Sequence, residues 1–328
     1  MLSNANVRFD SVTLGGEAFT IAVPEPPNRC WLTSLTVALG PMARQEARRA
    51  LSGPALWATL VLSRLLEGFT RLTRVDDAVW PEHRLLTTSL YSGRLPVLLD
   101  RIDDLTRLYP GKAIVIRSLT EPQPGTVWPF RVVWRIDDLA RDWAPRTDTR
   151  NDLKLLAKSG LTPKAYGAAI DEARLARCRD LYRQLYLGVY SVFNPDYTAA
   201  GLRRLLAEGL ELHTLEDGQG EIVAFCALYA DGETVTLPML GYDLTRPQSD
   251  GLYRAIQVHM AGLAAGRGLK LNLSAGAPHF KRNRGATPWM EYLLIVDHHL
   301  PVWRRTGYRL TGRILRALEP QLKRAAGA

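Results

Sequence analysis

The order of secondary structure predicted for residues 171–297 constrains the fold of this chain more than any other feature. Two helical patterns come first, and three short strands follow over 210–241, separated by glycine-containing turns that suit hairpins. A long helix over 249–266, a strand, a loop and a last strand over 290–297 complete the series. Strands that alternate with helices in this way predict a layered domain of mixed α/β type.

The first 140 residues also predict both helices and strands. Apolar residues at helical spacing indicate helices over 55–72 and 95–108, and apolar or β-branched runs indicate strands over 112–119 and 130–136. The proline-rich run at 24–27 is expected to end an early strand. This half contains no motif of its own.

A length of 328 residues suits two domains of about 150 residues each. A basic helix over 146–160, capped by Thr147 or Asp148 and ended by Gly160, lies at the expected join. We therefore divide the chain into residues 1–140 and residues 141–328.

The charge of the chain favours a polyanionic partner. There are 42 Lys and Arg against 33 Asp and Glu, a net charge of +9, and the segment 300–328 is strongly basic. A CoA pyrophosphate, a tRNA backbone or an anionic membrane surface would suit such a surface. A solvated, arginine-rich helix face explains the same charge equally well, so the charge alone does not decide.

Other sequence features argue against export and membrane insertion. No run approaches the roughly 18 to 20 apolar residues that span a bilayer. The N-terminus has no charged start followed by an apolar stretch, and the three cysteines are too widely spaced for a disulfide framework or a cysteine-based metal site. These features predict a cytoplasmic protein without a transmembrane segment.

The segment 279–288 is the most specific motif in the chain. Lys281, Arg282 and Arg284 place three cations within four residues, directly after Phe280. Gly285 would let the backbone approach a ligand closely. An exposed basic turn is the alternative interpretation.

The element order and three stretches resemble acetyltransferases of the GNAT fold, and in particular their tandem branch. That branch contains the Fem-type peptidyltransferases and the cellulose-biosynthesis-associated acyltransferases. The stretches are the basic helix 146–160, the strands of 213–243, and the segment 279–288, which is similar to the Phe-Lys-x-x-x-Gly-Ala-x-Pro loop of the family. The resemblance covers about residues 140 to 310. It implies an α/β (mixed α+β) fold of two GNAT-like units, the N-terminal one degenerate, each a mixed sheet flanked by helices.

One departure from the GNAT pattern concerns the molecule that donates the acyl group. Acetyl-CoA-dependent members carry an Arg/Gln-x-x-Gly-x-Gly/Ala turn, whose backbone amides hold a pyrophosphate at a helix N-terminus. Residues 242–251 lack that spacing, although Arg246 and the helix start at Ser249 remain candidates to hold a phosphate. The departure favours an activated donor other than acetyl-CoA.

Acyl transfer to an amine requires a positioned donor and acceptor, a proton acceptor, and groups that stabilise the oxyanion. The resemblance places Lys281 at the charged ester or oxyanion end of the donor, and His279 is a candidate base, since an imidazole can accept a proton near neutral pH. Adjacent histidines at Asp297-His298-His299 point to opposite faces of a strand, so no metal site is expected. The catalytic candidates are Lys281, His279, Glu291 and Tyr292; the donor-binding candidates are Arg246, Ser249, Phe280, Arg282, Arg284 and Gly285; the substrate-binding candidates are Tyr242 and Trp289.

The leading hypothesis is an N-acyltransferase in which an amine of a small molecule or peptide attacks the donor directly, with no bound cofactor. The donor is either acyl-CoA or another acyl thioester, including one on an acyl-carrier protein, or aminoacyl-tRNA. A non-catalytic nucleic-acid-binding protein on the same fold is the alternative from another class, and it predicts binding that weakens steeply with salt.

Overall fold

The computed structural model describes residues 1–91 and 93–327. Its centre is one mixed sheet of eleven strands in the order β1-β2-β3-β4-β11-β5-β10-β9-β8-β7-β6. The strands are β1 (Ala5–Leu14), β2 (Glu17–Asn28), β3 (Ala78–Pro81), β4 (Ala113–Leu119), β5 (Thr126–Ile136), β6 (Thr162–Tyr166), β7 (Glu211–Glu216), β8 (Ile222–Asp231), β9 (Thr234–Tyr242), β10 (Lys270–Asn272) and β11 (Thr287–Val296).

Helices cover both faces of this sheet. They are α1 (Leu35–Val37), α2 (Ala43–Ala50), α3 (Gly53–Leu72), α4 (Leu95–Asp100), α5 (Ile102–Leu108), α6 (Thr147–Lys158), α7 (Glu172–Arg183), α8 (Ala199–Ala207), α9 (Leu252–Gly266), α10 (Pro278–Asn283) and α11 (Val302–Ala325). Short π-helical segments extend α1 over Ala38–Met42 and α7 over Gln184–Tyr190.

The core consists of apolar clusters on opposite faces of each half of the sheet. In β11, Leu294 packs with one cluster and its neighbours Leu293 and Ile295 pack with another, because successive strand residues point to opposite faces. In the C-terminal half, α9 covers one face of β8 to β10, and α7 with α8 covers the other. Helices on both faces explain why these strands are apolar on both sides.

The two halves exchange strands. The pairs β3–β4 and β9–β10 are the parallel pairs of the described sheet, one in each half. β11 lies between β4 and β5, and β5 lies between β10 and β11, with antiparallel pairing throughout. The last strand of each half thus completes the sheet of the other. The division of the chain at residue 140 stays a prediction.

The mixed α/β class is confirmed, and so are the three-strand meander, the helix before it and the long α9 after it. The helix expected over 55–72 is α3, and the basic helix expected over 146–160 is α6, although its N-cap is Arg146 rather than Thr147 or Asp148. Residues 162–166 form an edge strand, β6, which the sequence did not predict.

Three local expectations were wrong. The proline run at 24–27 does not end a strand: β2 continues to Asn28, paired with β1 alone, because β3 contacts β2 only at Ile21 and Ala22. Prolines are tolerated where one strand edge needs no hydrogen-bond donor. The helix expected over 95–108 is divided at Arg101. The segment expected as a loop before β11 contains the short helix α10.

Candidate functional site

A gap opens in the C-terminal half where β9 and β10 separate. The two strands pair over only three residues each, ending at Asn272 opposite Thr236, while β9 continues to Tyr242. The amide of Leu273 instead donates to the carbonyl of Trp134 on β5, at 2.8 Å. In the described part of the chain, no strand pairs with the β10-facing edge of β9 beyond Thr236, so its backbone groups on that side have no partner strand.

Aromatic side chains lie beside the outer end of β9. Tyr242 at its end lies 6.0 Å from Tyr253 on α9, and Tyr253 lies 4.8 Å from Phe280 on α10, measured between ring centroids. Tyr186 and Tyr190, from the π-helical segment after α7, are 5.6 Å apart. Burial raises the pKa of both Tyr242 and Tyr253, so their hydroxyls stay protonated and can donate hydrogen bonds.

Lys281 holds the segment that follows β10. Its Nζ donates to the carbonyls of Leu273, Ser274 and Ala275 at 2.7, 3.0 and 2.7 Å. The side chain is buried, and burial, followed by the nearby charge of Arg131, lowers the pKa of Lys281 to about 7. Three carbonyl acceptors require three N–H groups, so this geometry fits the ammonium form.

The same segment has an unfavourable backbone. Ser274 and Ala277 have φ of 59° and 48°, in the left-handed region that side chains other than glycine rarely adopt. Each such residue costs about 1 to 3 kcal/mol unless its surroundings hold it. The contacts of Lys281 supply that restraint, directly beside the gap between β9 and β10.

Arg131 connects this segment to the N-terminal half. Its Nε donates to Glu291 on the neighbouring strand at 2.6 Å, and its Nη1 donates to Ser274 Oγ at 3.4 Å. Its Nη2 donates to the carbonyl of Thr87 at 2.6 Å and to Thr88 Oγ1 at 3.0 Å. Glu291 is buried, so its carboxylate serves to hold Arg131 in place.

Asp152 connects three helices around the gap. It lies on α6, is fully buried, and accepts from Arg254 Nε of α9 at 2.6 Å and from Arg284 Nε, just after α10, at 2.5 Å. The guanidinium of Arg284 also stacks on Phe280, with 3.6 Å from Cζ to the ring centroid. A buried carboxylate with two arginines thus fixes α10 and its Phe280 against α6 and α9.

Gly285 is required where α10 leads into β11. Its φ is +85°, and an added Cβ would lie 1.9 Å from the carbonyl oxygen of Asp142. We expect Gly285→Ala to lower the free energy of unfolding by more than about 3 kcal/mol, since strain and a backbone clash act together. Urea denaturation measures the change. Gly268→Ala is the matched control: φ is +65°, but the space is open, so only about 1 kcal/mol should be lost. Equal losses would contradict the close approach at Gly285.

The structure brings some of the predicted site residues together and separates others. Lys281 and Glu291 both lie beside Arg131, and Phe280, Arg284 and Tyr242 lie on the aromatic side of the gap. The residues that lie elsewhere are exposed His279 on α10, Arg282 over Trp134, Arg246 paired with Asp217, exposed Ser249, Trp289 under Arg135, and Tyr292 bonded to Glu319 on the α11 side.

Sequence reasoning missed Arg131 and Asp152. A usable signal existed for Arg131, because it is one of two charged residues, with Arg135, in the otherwise apolar segment Thr126–Ile136. A charge at an inward position of such a strand is buried and needs a partner. For Asp152, the sequence marked the helix 146–160 only by its basic residues and its resemblance to the family, and nothing in its spacing pointed to two distant arginines.

Metal chemistry and thiol chemistry find no support among the described residues. They contain no group of three or more His, Cys, Asp or Glu that could hold a metal ion. Cys30, Cys178 and Cys226 are buried, and burial raises the pKa of each thiol, so none is a ready nucleophile. No helix in the described ranges is long and apolar enough to cross a membrane.

Comparison with known protein families identifies the region that contains the gap. Residues 145–282 match the family described as the acetyltransferase (GNAT) domain. The chain carries a GNAT domain. This domain contains β6 to β10, α9 and most of α10, including Lys281. The resemblance to GNAT acyltransferases is therefore confirmed for this region, and the match supports an acyl or aminoacyl transferase in general terms.

One solved structure extends the likeness of the fold beyond the GNAT domain, and a second has a slightly lower TM-score. The structure of L-PGS from Bacillus licheniformis is similar over 76% of this chain and 97% of its own, with a TM-score of 0.50 and 13% identity. The crystal structure of FemX is similar over 90% of this chain and 89% of its own, with a TM-score of 0.49 and 10% identity. No curated protein matches the sequence.

Proposed function

We propose that this protein is a cytoplasmic N-acyltransferase built from two GNAT-like units, and that an amine attacks an activated acyl or aminoacyl donor held in the gap between β9 and β10. The observation that carries the proposal is the unpaired edge of β9 inside the GNAT domain. Backbone N–H groups along that edge can donate to the oxyanion that forms when the amine adds to the donor carbonyl. Such preorganised donors are a large source of rate enhancement in acyl transfer.

The residues beside the gap would divide the work of this reaction. Lys281 keeps the segment after β10 in its strained shape and adds a positive charge near the reacting carbonyl. Tyr242 and Tyr253 can donate to the leaving group, since both remain protonated at neutral pH. No covalent enzyme intermediate is needed, because the amine attacks directly and expels the thiol or the tRNA hydroxyl.

Aminoacyl-tRNA is the second donor candidate, and one contact favours it. Gly251, the N-cap of α9, lies against Leu155 of α6, so that an added Cβ would be 2.7 Å from Leu155 Cδ1. Helix α6 therefore limits the space at the N-terminus of α9. Acetyl-CoA-dependent enzymes hold a pyrophosphate at that position. Exposed arginines on α11, such as Arg309 and Arg313, offer a basic surface to an RNA backbone.

A donor screen tests the function directly. The full-length protein is incubated with labelled acetyl-CoA, longer acyl-CoAs or charged tRNA, each with a panel of amino acids and amines, and products are followed by mass spectrometry. We expect an N-acylated product from one donor class. Release of thiol identifies a thioester donor, and abolition by RNase identifies aminoacyl-tRNA. Failure of every donor together with tight, salt-sensitive RNA binding would overturn the transferase and favour the non-catalytic alternative.

A further inference from the structure

A buried guanidinium without a carboxylate partner lies next to Arg131. Arg117, at the end of β4, is only 2% exposed, yet it appears in none of the ion pairs formed by the described residues. Its hydrogen bonds are long: Nη1 donates to His83 Nδ1 at 3.2 Å and to the carbonyl of Leu32 at 3.4 Å, and Nη2 donates to the carbonyl of Thr87 at 3.4 Å. A buried charge that is held only by long contacts to neutral groups is strongly disfavoured.

The groups around Arg117 do not supply a negative charge. Burial, followed by the charge of Arg117, lowers the pKa of His83 well below its ordinary value, so the ring is neutral. Burial raises the pKa of Cys30 to about 12 and also raises that of Tyr91, so both remain protonated. The two nearby carboxylates already bind other arginines: Glu291 binds Arg131 at 2.6 Å, and Glu82 binds Arg94 at 2.8 Å.

Three orphaned polar atoms occur in the same cluster. Trp80 Nε1, Thr87 Oγ1 and Ser89 Oγ are buried and have no hydrogen-bond partner among the described residues. Thr87 contacts Arg117 through its carbonyl, the Trp80 ring lies 5.7 Å from the guanidinium, and Ser89 bonds Ser118, the next residue of β4. Each orphaned atom can donate a hydrogen bond, so all three could serve an oxyanion.

The side of this cluster towards Arg131 is partly exposed. Trp31, Thr87, Phe130 and Arg131 are each partly exposed. The Arg117 guanidinium lies 5.7 Å from the Trp31 ring and 6.0 Å from the Phe130 ring, and Arg131 lies 5.6 Å from Trp31. The partly exposed aromatic rings thus lead from the surface to a buried cation.

We propose that Arg117, with Arg131 at its entry, binds a carboxylate of the acceptor substrate, whose apolar or aromatic part packs against the exposed sides of Trp31 and Phe130. Arg131 is paired with Glu291, and Lys281 donates to three close carbonyls, so Arg117 is the cation among these three that has neither a carboxylate partner nor close acceptors. A carboxylate would supply the missing partner. A guanidinium binds a carboxylate through paired hydrogen bonds.

The site adjoins the gap between β9 and β10 through Arg131, which contacts both Thr87 and Ser274. A carboxylate held at Arg117 would therefore place the rest of an acceptor towards the donor carbonyl. The role as an acceptor site rests on the transferase function proposed above, whereas binding of the carboxylate itself does not. An amino acid or a peptide with a free carboxyl group has the required chemistry.

Benzoate and benzamide provide matched probes, since they share a shape and differ in charge. Calorimetric titration of the full-length protein, at constant ionic strength, should show benzoate binding at least about tenfold more tightly than benzamide, as expected for a charge-assisted hydrogen bond. Inorganic phosphate is a third probe. Equal affinity for benzoate and benzamide, or binding of phosphate alone, would overturn the carboxylate site.

Variants separate binding from structural support. Arg117→Met should lose the preference for benzoate by at least about tenfold and should not unfold the protein, because apolar residues that replace buried charges are often neutral or stabilising. Arg64→Met removes an exposed arginine of α3, and this variant should retain the preference for benzoate. Retention of the preference in Arg117→Met would refute the assignment. If Arg117→Met does not fold, the comparison of benzoate with benzamide on the wild-type protein still decides.

The two proposals fail in different ways. If an acyl product forms, acceptors with a free carboxylate should show a lower KM than their amides, and Arg117→Met should remove that difference. A product without any such difference would overturn the acceptor site alone. Benzoate binding, together with failure of every donor and tight, salt-sensitive RNA binding, would support the carboxylate site and overturn the transferase function.

Discussion

Replacing Lys281 by alanine is expected to lower turnover by roughly ten- to a thousandfold, the range seen when a group that stabilises an oxyanion is removed. The substitution leaves the carbonyls of Leu273, Ser274 and Ala275 without their donor. The strained segment beside the gap would then relax, and a shift of about 1 Å at a reacting centre can cost a hundredfold in rate. Steady-state kinetics with the donor identified by the screen measures the effect.

The pH dependence of the wild-type protein should distinguish the two roles open to Lys281. Its pKa is lowered to about 7, so the ammonium loses a proton, and with it one N–H donor, as pH rises through that value. If the protonated form holds the segment, activity falls as pH rises through about 7, and Lys281→Ala lacks that fall. A rising limb near pH 7 would instead make Lys281 a general base.

Arg282→Ala is the matched control for this experiment, because Arg282 is the neighbouring cation on α10 and is exposed. Its turnover should stay within about threefold of the wild type, since exposed charges contribute little. A folded Lys281→Ala protein with unchanged turnover at every pH would remove Lys281 from the proposed mechanism.

Replacing Asp152 by alanine is the second large expected effect. The change leaves Arg284 buried without its nearest carboxylate and frees Arg254, so the free energy of unfolding should fall by about 3 to 5 kcal/mol, as for a broken buried ion pair. Because Asp152 holds α10 through Arg284, turnover should fall as well, even at temperatures where the protein remains folded. Urea denaturation and kinetics at low temperature provide the two measurements.

Asp148→Ala is the control for Asp152. Asp148 lies on the same helix and faces the same arginine at 3.6 Å, but its side chain is 39% exposed, so its contribution should be below about 1 kcal/mol. Equal losses for the two variants would contradict the special position of Asp152. The contacts of Asp152 explain how α6, a helix rich in charged residues, can hold α9 and α10 in place.

The sequence predicted the C-terminal half well because its elements alternate regularly and carry strong local signals. Strands β8 and β9 of the meander are largely apolar on both faces, and the glycine turns and the end of α9 follow rules that depend on neighbouring residues alone. The N-terminal half was less readable, since β3 is only four residues long and β2 contains prolines that its pairing, rather than its composition, permits.

The candidate site was predictable only where it is local in sequence. Phe280, Lys281 and Arg284 belong to one motif, and they do meet at the edge of the gap. Their partners Arg131 and Asp152 come from distant segments, and no spacing rule reveals such contacts. Conversely, His279 lies beside Lys281 in sequence, yet the turn of α10 leaves it exposed while Lys281 is buried.

The exchange of strands sets the order in which this protein can become functional during synthesis. Arg131 and Glu291 pair across neighbouring strands but are 160 residues apart in the chain. At a translation rate of roughly 5 to 20 residues per second, about 10 to 30 s pass between the synthesis of β5 and that of β11, its partner strand. Until then β4 and β5 lack the strand between them, and Arg131 lacks its carboxylate. The nascent chain therefore gains a complete sheet and an ordered site in a single late step.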